Sequence, residues 1–457
     1  VIETLTTIFY FLIAITILVA VHEFGHYYAA RRCGVRVLRF SIGFGTRLLK
    51  WTDRHGTEFA ISSVPLGGYV KMLDEREGEV APEDRPYAFT SKPVWQRIVI
   101  AFAGPLANFI LAILLYWLLA VLQGSVSVAP VIGSVEPDSI AAEAGLEAGQ
   151  EIKAVDGSPI NSRRALEIYL LNRLGESGEI SFTVKYPDSD LVYESKAKLD
   201  KWLRGAEGPD VISGLGLSFY SPPLLSRISQ VMPDMPAAAA GLQVGDEIVE
   251  VDGQNSLSVE KLTEYISARA GQELEIIIER ETEEGLFRDT KLITPKEVEA
   301  DNGTRGVIGI AWSREQFPQE MVRYHRYGFV SGMNQAVSST FEVIDTTFLS
   351  IKKLVVGEIS TKNLSGPIGI AKVAGDSAKA GIWYFINFLA YISVLLGVFN
   401  LLPVPVLDGG HILFGLIEWV KGSPVSEKIQ MLGYQAGLAM LLGLMVIAFY
   451  NDILRLS

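Results

Sequence analysis

Four stretches of the chain carry no charged residue: Thr4 to Val21, Ile98 to Val135, Gly381 to Leu407 and Ile429 to Asn451. Each can hold a membrane-crossing helix or most of one, which needs about 20 apolar residues at roughly 1.5 Å of rise apiece. Gly328 to Gly357 also has helical length, but Glu342 and Asp345 interrupt it. A charge near a bilayer centre costs about 2.5 to 3.5 kcal/mol, so this segment predicts an amphipathic helix lying on the membrane surface. Between the first two runs, Gly56 to Met72 alternates enough to form strands, as Thr57-Glu58-Phe59-Ala60-Ile61-Ser62 and then Val64-Pro65-Leu66-Gly67-Gly68-Tyr69-Val70.

The polar middle of the chain repeats itself. Ile132 to Gly157 aligns without gaps to Ile228 to Gly253, with 15 of 26 positions identical at an offset of 96. One small domain therefore occurs twice. In each copy Ala-Gly-Leu closes a short helix, and Glu-Ile-x-x-Val-Asp-Gly predicts a strand ending in a tight turn. Gly214-Leu215-Gly216-Leu217 and Val307-Ile308-Gly309-Ile310 end the two copies alike.

Charge adds a direction to this pattern. Residues 124 to 326 hold 34 acidic and 20 basic side chains, a balance of −14, which leaves +2 for the rest of a chain whose total is −12. No basic patch is concentrated in the segment that looks soluble, which argues against nucleic acid as a partner. From Arg31 to Arg54 there are seven Lys or Arg against one acid, Asp53, so this side is expected to be cytoplasmic. The first span then runs inward, the second returns outward, and the acidic repeats face the periplasm. Val1-Ile2-Glu3-Thr4 lack the positive charge that opens a secretory signal, so the first run is expected to stay as an anchor. Cys33 is the only cysteine, so any metal must rest on histidine and carboxylate.

His22-Glu23-Phe24-Gly25-His26 supplies that chemistry at the end of the first apolar run. Histidines at i and i+4 share one helical face and can reach one ion, while Glu23 stands beside them to accept a proton from water on the metal. Zinc is the ion expected, because it takes His and carboxylate ligands and keeps one position open for water. Counting back from Arg31, His26 lies about 7 Å and His22 about 13 Å inside the cytoplasmic boundary. A third ligand must arrive at that depth. Asp408 is the leading candidate, as the first charge after the third apolar run, with Glu342, Asp345, His411 and Glu418 as competitors. With Gly328 to Gly357 on the surface, the third span delivers Asp408 to the inner leaflet; with that segment crossing, Asp408 would emerge on the opposite face. Pro403 and Pro405 break the helix where only a protein or wet environment tolerates free backbone. Asn400, one turn earlier, is placed to bond a peptide carbonyl or steady an oxyanion, and a plain helix terminator ahead of Gly409-Gly410 is the alternative.

His22-Glu23-x-x-His26, the Asn400 to Asp408 run, Gly104-Pro105-Leu106-Ala107-Asn108 and the tandem repeat together resemble the site-2 protease family of intramembrane zinc metalloproteases. The repeat resembles PDZ domains, modules that take extended peptides at a sheet edge. The resemblance implies a polytopic α-helical membrane protein of a bacterial inner membrane. It would have four transmembrane helices, a membrane-associated β-hairpin at Gly56 to Met72 and two periplasmic PDZ-like domains of mixed α/β type. The segments expected are a first transmembrane helix over 1–32, a loop with the hairpin over 33–96 and a second helix over 97–123. PDZ-like domains follow over 124–222 and 223–315, then a linker and surface helix over 316–380. A third transmembrane helix over 381–410 precedes a cytoplasmic turn and fourth helix over 411–457.

The resemblance makes His22, His26 and Asp408 the zinc ligands and Glu23 the catalytic base, with the active site in the cytoplasmic leaflet. Asn400 would contact the substrate backbone, with Pro403, Pro405, Gly67 and Gly68 also expected at the substrate. The hairpin's free edge would accept an unfolded substrate segment by strand addition. The substrate implied is a single-span protein of the anti-sigma-factor type, trimmed outside and then cut within its transmembrane segment during envelope stress. The PDZ-like pair would bind peptides or exclude untrimmed substrates. Two rivals remain at this level: a metal transporter using the same side chains, and a membrane-anchored PDZ scaffold with a degenerate metal site.

Overall fold

Each uncharged run contains a long helix in the computed structural model, which describes residues 2–455 except 77, 187, 188, 190, 256, 257, 283, 284, 301 and 302. The expected limits at Val1 and Ser457 therefore lie outside the described residues. Among the described residues four helices are long and apolar enough to cross a membrane: Thr4–Arg32, Val94–Leu122, Ile382–Leu401 and Glu427–Leu454. They are called the first to fourth apolar helices below. The first three share a core in which Ala14, Leu18, Phe385, Phe388 and Leu389 are buried.

The third helix is shorter than the 381–410 expected. It stops at Leu401, Leu402 is extended (φ −60°, ψ 142°), and Asp408 opens a separate helix, Asp408–Lys421. Pro403 and Pro405 have no N–H with which to continue the ladder. The expected turn after residue 410 is thus the body of this helix. It lies along the second apolar helix, where a Cβ on Gly415 would meet Ile98 at 2.7 Å and Arg97 pairs with Glu418 at 2.6 Å.

The hairpin is larger than Gly56 to Met72. Val37–Thr52 and Glu58–Met72 pair, and the two halves of 58–72 expected as strands, 58–61 and 68–71, each meet residues 39–42. Residues 37–42 face 68–72, residues 39–42 also face 58–61, and residues 44–52 face 58–64. The turn sits at residues 53–57 because Asp53 Oδ1 accepts from the backbone N–H of His55 (2.8 Å) and Thr57 (2.9 Å), with Gly56 at φ +80°. Arg47 and Arg39 both reach Glu58 and hold its carboxyl below the usual carboxylate range.

The ambiguous segment forms the helix Phe329–Val356. It packs on the second and third apolar helices: Trp117 Nε1 donates to Phe329 O (2.9 Å), and Val343, Ile344 and Ile351 lie at Ala112, Val394 and Val398. Glu342 and Asp345 point away and are exposed.

The repeat is structural. The helices Ile140–Glu143 and Arg163–Leu171 and the strands Glu151–Val155 and Gly178–Lys185 recur 96 residues later as Pro236–Ala239, Val259–Ser267, Glu247–Val251 and Leu274–Thr282. Asp156 and Asp252 hold the same turn at φ 47°, each accepting a tyrosine hydroxyl at 3.1 Å. The copies are not equivalent as bodies. One compact unit comprises Val1–Pro130, Val135–Ser218 and Arg323–Ser457, and the other Val131–Ser134 with Phe219–Val322. Most of the first copy expected over 124–222, Val135–Ser218, thus lies in the same unit as the apolar helices. Within that unit Lys353, buried at 4 %, donates to Leu174 O and pairs with Glu176 and Glu358, while Asn363 Oδ1 accepts from Gly208 N (2.7 Å). These contacts tie the first copy to the segment after the long helix.

Candidate active site

His22 and His26 leave the same face of the first apolar helix and are buried. Their Nε2 atoms are 3.2 Å apart, and Asp408 Oδ2 lies 3.1 Å from one and 3.4 Å from the other. The Nδ1 of His26 donates to Ile100 O at 2.8 Å, which leaves its Nε2 as a bare lone pair facing the other two atoms. Asp408 Oδ2 is buried and makes no hydrogen bond. Acceptors converging in a dry place repel one another unless a cation sits among them. The donor set, two imidazoles and one carboxylate, fits zinc.

Small residues make this meeting possible. A Cβ on Gly104 would lie 2.9 Å from His22 Cε1 and closer still to the His26 ring. On Gly25 it would lie 2.9 Å from Ala107 Cβ, so the first and second helices touch only because both positions are glycine. Gly409 and Gly410 likewise let the start of the Asp408 helix fold onto the carbonyls of Leu402 and Val404.

Glu23 is half-buried beside the histidines and faces the hairpin. A Cβ on Gly68 would lie 3.2 Å from Glu23 Cγ and 2.9 Å from Val19, so the strand passes directly over Glu23. Gly67 has φ +137° and lies under the Phe44 ring. Asn400 is half-buried in the last turn of the third helix, and its side chain makes no hydrogen bond among the described residues. Pro403 is exposed, and Pro405 lies against Gly433 and Gly437 of the fourth helix. Of the competitors for the third ligand, Glu418 is taken by Arg97, Glu342 and Asp345 are on the exposed side of their helix, and His411 is outside the cluster.

Two features escaped the sequence reading. Asn108, noted only within a motif, is fully buried with its amide 3.2 Å from His22 Nδ1. Asp452, 3 % exposed, accepts backbone N–H groups from Gly366, Ile368 and Gly369. Its apolar neighbourhood in a fourth span was the one signal available, since a buried acid there demands partners.

The model of peptidase family M50 matches residues 10–444. The chain belongs to that family. It is similar to the regulator of sigma-E protease RseP of Salmonella typhimurium, with 43 % identity over 449 residues and 98 % of each chain covered. The protein of the same name from Escherichia coli is 42 % identical over 446 residues, again 98 % of each chain. A Vibrio cholerae protein named as a zinc metalloprotease is 40 % identical over 450 residues, 98 % of each. The PDZ domain of the SdrC-like protein of Listeria monocytogenes, a solved structure, covers 21 % of this chain and 92 % of its own at 25 % identity and a TM-score of 0.17. The resemblance to site-2 proteases thus holds over the whole chain. The protein is a zinc-dependent metalloprotease, and its four apolar helices make it an inner-membrane protein.

Proposed function

We propose that this M50 protease cleaves a peptide bond inside the membrane-spanning segment of a single-span protein already trimmed outside the membrane. His22, His26 and Asp408 hold zinc, and Glu23 takes a proton from the attacking water. When bound, zinc supplies a water ionisable near neutral pH. Gly67 and Gly68 present the strand edge that holds the substrate extended, and Asn400 bonds the exposed peptide, with Pro403 and Pro405 shaping the break in the helix. The observation that carries this reading is the convergence of the two histidine Nε2 atoms on Asp408 Oδ2, which has no hydrogen bond, beside Glu23 and under Gly68. On the likeness to proteins named as regulators of sigma-E, the substrate is an anti-sigma factor and the setting is envelope stress.

The same reading sets four spans, the basic segment 31–54 inside, the active site in the cytoplasmic leaflet and the PDZ-like copies in the periplasm. Phe329–Val356 then lies on the outer surface. A groove of about 180 Å³ in the second copy, lined by Ile266, Arg305, Ile308, Ile310 and Trp312, suits an extended peptide. Cysteines introduced at Glu342 and Gly422 test the threading: external reagent reaches the first and leaves the second protected, and labelling of Gly422 would refute it.

Cleavage of a single-span substrate in detergent, with zinc quantified, tests the chemistry. Glu23→Gln lowers cleavage by about 100- to 10,000-fold and keeps its zinc; undiminished cleavage sinks the assignment of the base.

A further inference from the structure

His26 and His22 are both steered by the second apolar helix, which contributes no ligand, and they are steered differently. His26 Nδ1 meets a backbone carbonyl, that of Ile100, at 2.8 Å. His22 Nδ1 meets the side-chain amide of Asn108, with Nδ2 at 3.2 Å. The other end of that amide, Oδ1, is buried with no hydrogen-bond partner.

These two facts have one chemical resolution. A histidine that binds a metal through Nε2 carries its proton on Nδ1, so Nδ1–H is a donor and requires an acceptor. An amide NH₂ there sets donor against donor, and it leaves the acceptor Oδ1 without a partner in a dry site. Turning the amide half a revolution about Cβ–Cγ exchanges its near-isosteric ends and brings the acceptor Oδ1 to His22 Nδ1–H, so that donor meets acceptor. Asn108 is fully buried, and its backbone carbonyl accepts from Ser393 Oγ of the third helix at 2.8 Å.

We infer that Asn108 is a positioning residue for the metal site: its Oδ1 accepts from His22 Nδ1–H, fixing the tautomer and ring orientation that aim Nε2 at the ion. Ser393 supports it from the third helix. Both histidines then lean on neutral acceptors, leaving Asp408 as the only anionic member of the set. This rests on His22 holding zinc as proposed above.

The test is zinc affinity of the full-length chain in detergent, read by competition with a chromophoric chelator. Asn108→Leu, similar in size with no acceptor, weakens zinc about 10- to 100-fold, the usual weight of an outer partner. Asn108→Asp, which offers an acceptor at either end, stays near wild type. Wild-type affinity in Asn108→Leu overturns the inference. So does loss of zinc in Asn108→Asp, which would show that the NH₂ end is the one His22 uses; this variant decides alone if Asn108→Leu does not fold. His22→Phe separates the two readings: if it binds zinc like wild type, the ligand assignment itself has failed.

Discussion

Asp408 and Asp452 are both acids carried into the apolar part of the molecule by late segments, and both meet the start of a helix. Asp452 is fully served there: its two oxygens accept N–H groups from Gly366 (2.9 Å), Ile368 (3.0 Å) and Gly369 (3.0 Å), closing the open end of Pro367–Ala380. Glycine at 366 and 369 lets it come so near, since a Cβ would lie 2.7 Å and 3.0 Å from its oxygens. Asp408 has the opposite condition, with Oδ2 buried, without a hydrogen bond and aimed at the Nε2 atoms of two imidazoles. A satisfied buried carboxylate joins pieces of the fold. An unsatisfied one is held for something that is not protein.

Asp408→Asn breaks the comparison most strongly. It removes the only carboxylate among the three ligands and loses zinc by more than the roughly 10- to 100-fold expected for an outer partner such as Asn108, measured by metal content after dialysis. Its melting temperature without metal changes little or rises, because an orphaned charge has gone. Asp452→Ala should do the reverse: zinc affinity holds, while stability falls by about 1–3 kcal/mol for each stranded donor that water fails to satisfy, read as a lower Tm. Zinc loss in Asp452→Ala equal to that in Asp408→Asn would erase the distinction. Glu418→Gln sharpens it at a third site. The Arg97 pair is partly exposed, at 22 % and 16 % of the two side chains, and its loss costs about 0.2–1 kcal/mol with zinc unchanged.

The two acids also differ in how far they could be read in advance. His22, Glu23, His26 and Asp408 stand out by spacing and by the depth at which a charge ends an apolar run. Asp452 sits beside Asn451 at the end of such a run too, yet its partners lie more than 80 positions earlier, in Gly366-Pro367-Ile368-Gly369. No periodicity links them. The hairpin shows the same limit: alternation marked 58–72 as strand, but its pairing with Val37–Thr52, set by the Asp53 turn, had no local signature strong enough to override the glycines at 43 and 45.

Local pattern was sufficient for the four apolar helices, the duplicated domain and the His-Glu-His face, because each is a repeat of 3.6, 2 or 96 residues written in consecutive positions. The folded chain was needed to show that the third helix stops at Leu401, that the first copy of the repeat is bound to the apolar helices while the second is a separate unit, and that Asn108 faces His22. Those outcomes depend on which distant surfaces can approach within hydrogen-bonding distance. Glycines at 25, 104, 409 and 410 permit that approach, and only packing in three dimensions shows what they let in.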